Sequence, residues 1–319
     1  DLLQGNQDLD EMEEQRRKGI KYCTLSEEDV KNISEVYVSQ ALDYDCSGET
    51  PIMGGLYDPH MGPANDTLIC LTCYGNFRKC QGHYGYLHLV EPVYHVGYLT
   101  MVEGILKCIC KECSRILLNN DICTNYLKKM KGGTIKKDPN GRSFLYHNDT
   151  ILYPDMALFL LKEMVDEDRE LLCVSEKPEK LFISTISVPP LAVRPSLPLN
   201  LRLAREDYLT ERLKKIIKAN EILTKHVKEY VIKQRDLDSP IYKRAYENLQ
   251  FEVDQYMNSD DQQGQPLPAG LVQRLRGKQG RIRGTLSRKN VNYSGRTVIS
   301  PDPYLKITEV RHLSFASYT

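Results

Sequence analysis

The sequence contains no tryptophan, which decides nothing by itself, but its other absences exclude whole classes of function. No apolar run approaches the roughly 18–20 residues that a membrane-spanning helix needs, so the chain does not read as an integral membrane protein. Its first twenty residues carry six acids and three bases, with none of the apolar core of a signal peptide. There is no P-loop, dinucleotide fingerprint, HExxH pair or serine-nucleophile elbow. No aspartate cluster of the DxDxD kind, able to hold magnesium for phosphoryl transfer, appears anywhere. Asp43 to Gly48 opens like a calcium loop, but Gly54 stands where that loop requires a bidentate glutamate. Six of the histidines, His60, His88, His95, His147, His226 and His312, read as packing or surface residues. The chain alone is not expected to be an enzyme.

What is present describes a globular chain. It has 319 residues, 41% hydrophobic and 27% charged, enough to bury a core and to form two or three domains. The net charge of zero conceals uneven local fields. From Gln262 to Pro301 there is no acid, while Arg274, Arg276, Lys278, Arg281, Arg283, Arg288, Lys289 and Arg296 supply eight positive charges. Glycines interleave them, so backbone amides can approach phosphates as closely as the side chains do. That combination favours polyanion binding over a merely solvated face.

Secondary structure is legible in outline. Ser26 is placed to cap a helix over LSEEDVKNIS. HLVEPVYHVGYLTMVEGILKCIC reads as a strand running into an apolar helix that ends near Cys108. Residues 119–149 read as a polar loop, Met156–Met164 as a helix, and KLFISTISV as a strand. The prolines of VPPLAVRPSLPLN exclude a helix or a central strand there. Two regular helices follow. Leu209, Leu213, Ile216, Leu223 and Val227 keep a three–four spacing broken by Asn220, and Tyr242, Ala245, Leu249, Val253 and Tyr256 repeat it after the Ser239-Pro240 start. They form either an antiparallel helical hairpin or coiled coil, or two core-packing helices of a larger domain.

The ten cysteines crowd between Cys70 and Cys123 and lean towards metal, away from crosslinks. Cys70-x-x-Cys73, then Cys80-x-x-His83, is the sharpest chemical signal. Two intervening residues let one tight turn aim two ligands at a single ion, and two such knuckles complete the tetrahedron zinc prefers. Four protein ligands leave no open position, so such a site is structural. A redox CxxC would not need the second knuckle. Cys110-x-x-Cys113 is a further knuckle without a downstream CxxC; only Cys108, Cys123 and Cys173 remain as thiol partners. It is either half of a second, distorted zinc site or a pair of reduced cysteines.

Taken together, GGLYDPHMGP, CLTCYGNFRKCQGHYGYLHLVEPVYHVGY, ILKCICKECSRILL, VPPLAVRPS and RLRGKQGRIRGTLSRKNVNYSGRTVISPDP resemble the N-terminal clamp of the largest subunit of eukaryotic-type multisubunit DNA-directed RNA polymerases, most like RNA polymerase III. The resemblance runs from about Thr24 to Val310. It implies an α+β fold: an irregular zinc-stabilised clamp module with an antiparallel coiled-coil hairpin, followed by the start of the active-centre region. It divides the chain into an acidic arm (1–22), a zinc-binding clamp core (23–187), a lid-like connector (188–206), the clamp coiled coil (207–258), a rudder- or switch-like basic segment (259–310) and an unplaced tail (311–319).

The implied metal ligands are Cys70, Cys73, Cys80 and His83, with Cys110 and Cys113 for a second Zn2+. The implied DNA contacts are Arg276, Lys278, Arg281, Arg283, Arg288, Lys289 and Arg296. Implied partners are the other polymerase subunits, especially the second-largest, template DNA and the DNA–RNA hybrid, and transcription factors at the coiled coil, in the nucleus and away from membranes. The family's NADFDGD aspartates are absent, so Mg2+ belongs to the assembled enzyme and not to this chain, which reads as one piece of a longer or divided subunit. The competing reading is a free-standing zinc-stabilised nucleic-acid-binding module.

Overall fold

The computed structural model describes residues 24–309 apart from 43, 45–50, 66–67, 111–112, 118–143, 148–149, 173, 175–176, 201–202, 234–238, 260–269, 295–297 and 299. The acidic arm, the tail and Arg296 lie outside the described residues.

Helix α1, Glu27–Asn32, begins at Ser26 with a full capping box: the Asp29 amide donates to Ser26 Oγ and the Ser26 amide to Asp29 Oδ2. It precedes β1, Ser34–Tyr37, which pairs in parallel with β2, Tyr84–Tyr94. On its other side β2 pairs antiparallel with β5, Phe182–Val188, from Gly85 opposite Val188 to Tyr94 opposite Phe182, with an irregularity between His88 and Val93. The resulting three-stranded sheet, in the order β1-β2-β5, is the frame of the fold.

Between β2 and β5 run α2, Leu99–Cys108, the short hairpin β3 (Leu145–His147) and β4 (Thr150–Leu152), then α3, Pro154–Lys162, and α4, Asp166–Leu171. The hairpin corrects the polar-loop expectation at residues 145–147. Three-residue strands carry too little alternation to be read from sequence. The remainder of that loop lies mostly outside the described residues. Beyond β5, the proline-rich connector makes one 3-10 turn at Leu191–Val193 and enters a two-stranded ribbon, β6 (Leu197–Asn200) with β7 (Leu203–Arg205), detached from the main sheet.

Helices α5, Tyr208–Lys233, and α6, Pro240–Met257, follow. Arg212 near the start of α5 pairs with Glu252 near the end of α6 at 2.9 Å, as antiparallel neighbours would. Their apolar stripes do not face only each other. Leu209, Leu213, Ile216 and Leu223 join Leu249, Val253 and Tyr256 in one core with Val36, Leu87, Leu89, Ile186 and Val188 of the sheet. Over this stretch the helices are core-packing elements, and the spacing that suggested a coiled coil serves the sheet as well. A second core gathers where the sheet ends, from Tyr94 and Phe182 with Val102, Ile105, Leu160 and Leu161 of α2 and α3.

Candidate metal centre and basic segment

Cys70, Cys73, Cys80 and His83 converge as their spacing predicts: their ligand atoms all lie within 4.8 Å of one another. Backbone hydrogen bonds build the geometry. The Cys70 amide donates to the Gly75 carbonyl at 3.0 Å and the Tyr74 amide to the Cys70 carbonyl at 2.9 Å, which curls the first pair around a Tyr74 with φ of 56°. The Cys80 amide donates to the Asn76 carbonyl, and the Gly82 amide donates to Cys80 Sγ at 3.3 Å. Gly82 has a φ of +86°, and a Cβ there would come within 2.5 Å of Pro190. Only glycine lets this knuckle sit against the connector.

The donor set suits a metal ion. His83 Nε2 is buried without a hydrogen-bond partner among the described residues, which is costly for a polar atom unless something else binds it. The adjacent His83 imidazole holds the Cys73 thiol low, towards the thiolate that ligates metal. Burial pushes the Cys80 thiol up, and a cation between the sulfurs would reverse that. The arrangement can hold an ion, and among the described residues no fifth ligand joins it.

Cys110 and Cys113 form the same turn. The Cys110 amide donates to the Arg115 carbonyl at 2.8 Å, the Ser114 amide to the Cys110 carbonyl at 3.0 Å, and Ser114 takes φ of 55°. An isolated bridge, Ile109 to Ile116, brackets this turn as Ile69 to Asn76 brackets the first. Cys113 is exposed and Cys110 half-buried. Among the described residues no further ligand joins them in a metal-binding group, and Cys123 and Cys173 lie outside that set.

The basic segment starts at α7, Leu271–Leu275, tied to the end of α6 by Gly270 donating to Ser259 Oγ at 2.8 Å. Gly280 allows the next turn to fold back, since a Cβ there would lie 2.3 Å from the Arg276 carbonyl. A π-helical turn, Arg281–Leu286, follows. The eight cations divide. Arg274 is committed to Asp207 at 2.7 Å, at the entrance to α5. Arg276, Lys278, Arg281, Arg283, Arg288 and Lys289 are all exposed, and the described residues offer none of them an ion pair. A field of six solvent-facing cations with no acid among them attracts phosphate backbones whatever their sequence.

Sequence reasoning missed Arg194. Its guanidinium is 1% exposed, donates to the Pro189 carbonyl at 2.9 Å, to the Leu56 carbonyl and to Thr210 Oγ1, and lies over the Tyr57 ring. It fastens the connector to the base of α5. It also missed the surface of the first knuckle, where Tyr74, Phe77, Arg78 and Lys79 stand exposed. The available signal was a further acid-free run, from Thr67 to Val90, in which Arg78 and Lys79 adjoin two aromatic residues, Tyr74 and Phe77.

A profile of the family described as RNA polymerase Rpb1, domain 1, matches residues 14–138 and 123–286. The chain is 31% identical to DNA-directed RNA polymerase III subunit rpc1 of Dictyostelium discoideum, over 91% of this chain and 25% of that protein. It is 33% identical to DNA-directed RNA polymerase III subunit RPC1 of Bos taurus, over 86% and 25%. It is 32% identical to DNA-directed RNA polymerase subunit Rpo1N of Thermoplasma acidophilum, over 92% and 38%. The chain thus spans between a quarter and two-fifths of the length of these relatives.

Proposed function

Since the chain belongs to the family described as RNA polymerase Rpb1, domain 1, we propose that it forms the N-terminal clamp of the largest subunit of a DNA-directed RNA polymerase, most like RNA polymerase III. The observation that carries this reading is the family match through residue 286, which takes in Arg276, Lys278, Arg281 and Arg283, four of the six cations that have no ion pair among the described residues. In the assembled enzyme these side chains neutralise template phosphates, and the interleaved glycines admit the backbone close to them. Eukaryotic relatives imply a nuclear location. Magnesium and the residues that hold it come from the remainder of the polymerase, together with the second-largest subunit.

Zinc is the ion proposed for Cys70, Cys73, Cys80 and His83: three sulfurs and one imidazole in a closed tetrahedral set suit zinc better than the oxygen-seeking cations. When bound it ties residues 59–83 together, because ligands dispersed in the unfolded chain make binding energy into folding energy. A second zinc is proposed at Cys110 and Cys113, supported by a turn that repeats the first knuckle bond for bond. Residues 188–206 act as the lid-like connector, and the 207–258 helix pair extends as a coiled coil that offers a docking face to transcription factors.

The test is a triple variant, Arg276→Ala, Lys278→Ala and Arg283→Ala, in the assembled polymerase. Each lost phosphate contact lowers the salt slope of template binding by roughly 0.9. An unchanged slope in a complex that still assembles overturns the DNA-contact reading. A native chain that never copurifies with larger subunits overturns the clamp reading and favours a free-standing module.

A further inference from the structure

Past Arg274 the basic segment has no packing of its own to hold its direction. Every described residue from 275 to 294 is exposed except Gly280 and Gly284. Its apolar side chains Leu275, Ile282, Leu286 and Val291 are at least 49% exposed. Among the described residues, no hydrogen bond or ion pair leads from this stretch to another part of the chain. Helix α7, from which it departs, has five residues and none buried, too short to stand by its own helical bonds. Leu271 alone of that helix packs on the first core.

Two consecutive side chains of α7 supply the hold. Gln273 reaches the end of α6: its Oε1 accepts from the Ser259 amide at 3.2 Å, and its Nε2 donates to Asn258 Oδ1. Arg274 reaches the start of α5. Its Nη2 donates to both carboxylate oxygens of Asp207, at 2.7 and 2.9 Å, and its Nη1 to the Val193 carbonyl at 3.4 Å. Asp207 Oδ2 also accepts from the Leu209 amide at 3.0 Å, so one carboxylate both begins α5 and receives the arginine. The two side chains are 30% and 19% exposed, which sets the pair apart from the freely solvated cations beyond it.

We infer that Arg274 and Asp207 are positioning residues for the DNA-contacting segment, an inference that rests on the reading of that segment given above. The pair fixes α7 to the root of the helix pair and thereby aims the six exposed cations, while Arg274 itself meets no phosphate. A surface that is correctly aimed for only part of the time binds in proportion to that fraction. Loss of the pair therefore lowers affinity without changing which phosphates the aimed form meets. Loss of a contacting cation lowers affinity and salt slope together.

The test uses the assembled polymerase, fluorescent template DNA and a salt series. Asp207→Asn keeps an oxygen for the Leu209 amide and removes the ion pair; Arg274→Gln removes it from the other side. Each variant weakens template binding by roughly threefold to fivefold, the upper part of the range for a half-exposed pair, at an unchanged salt slope. The double variant loses no more than the weaker-binding single variant, because both remove one joint. Without DNA, the amides of residues 271–289 exchange hydrogen faster in each variant than in the parent. Arg274→Gln decides the question if Asp207→Asn does not assemble.

A slope lowered by roughly 0.9 in Arg274→Gln would make Arg274 a phosphate contact and overturn the inference. So would a gain in affinity and slope in Asp207→Asn, which would make Asp207 a screen over a binding cation. Losses that add in the double variant, or affinity equal to the parent's, also overturn it. If Arg276→Ala, Lys278→Ala and Arg283→Ala together leave the salt slope unchanged, the DNA-contact reading fails by itself. Hydrogen exchange without DNA then still tests the hold of the pair on the segment, and exchange at the parent's rate overturns it.

Discussion

Gln250 holds Tyr94 by both of its backbone groups: Gln250 Oε1 accepts from the Tyr94 amide at 2.8 Å, and Gln250 Nε2 donates to the Tyr94 carbonyl at 3.1 Å. Asn220 does the same one turn of strand earlier, accepting from the Val90 amide and donating to the His88 carbonyl, both at 3.0 Å. The Tyr246 hydroxyl donates to the Pro92 carbonyl between them. Nearer the start of β2, the Tyr86 carbonyl is taken by the Val38 amide just past β1. Where β1 ends, side chains from α5 and α6 therefore take over the role of a neighbouring strand and satisfy an edge that would otherwise stay open.

Replacing Gln250, which is fully buried, with leucine orphans both Tyr94 groups. The expected loss is roughly 2–6 kcal/mol, at one to three per unsatisfied group, read from the denaturant midpoint at constant m-value. A loss below about 0.5 kcal/mol would mean that water replaces the clasp.

Removing a ligand from the first centre, as in Cys73→Ser, is expected to lower metal content by one ion per chain. It should also make residues 59–83 sensitive to protease, because among the described residues of that stretch only Met61 and Ala64 reach a hydrophobic core, and a bound ion would organise the rest. Metal analysis and limited proteolysis read the two effects. Full metal content in the variant would exclude Cys73 as a ligand.

Cys113→Ser addresses the second knuckle. If the identical turn signifies an identical purpose, native protein holds two zinc ions and the variant one. A native stoichiometry of one would leave Cys110 and Cys113 as a shape retained without its metal.

Glu91 gives a pH signature. Burial, then the charge of nearby Asp155, raises its carboxyl above the usual range, against a hydrogen bond with Tyr242 that lowers it. A raised carboxylate pKa means that the folded chain binds the proton more tightly than the unfolded chain. Stability therefore falls as pH rises through the window between the unfolded and folded values, and the penalty persists above it. Glu91→Gln keeps an oxygen for Tyr242 and removes the charge. The variant should melt above the parent at pH 7, with the gap closing towards pH 4. A gap independent of pH would assign the effect to packing.

The first cysteine–histidine cluster was legible because its members are local: twelve residues lie between Cys70 and His83, and the turns between them close by their own backbone bonds. The second was half legible for the same reason reversed, since any remaining ligands must come from elsewhere in the chain. Leu209, Leu213 and Ile216 announced a helix through spacing alone, yet the same spacing serves a partner helix and a sheet equally well. Asn220 read as an interruption of the stripe, and its purpose was hidden because its partner is a backbone edge 130 residues away. Asp166–Leu171 is mostly charged, DEDREL, and carries no apolar stripe to mark it as a helix. Of the cations, composition supplied the field, and only the fold showed that Arg274 is withdrawn from it by Asp207.

The closeness of Gly82 to Pro190 joins two parts of the molecule that the chain separates by more than a hundred residues. A side chain at position 82 would therefore press on the knuckle and the connector at once, and the connector leads straight to Arg194 and the foot of α5. The helices beyond it keep a seat of their own, because their apolar faces share a core with the sheet. A bulge at one glycine would thus strain the junction before it moved the elements on either side.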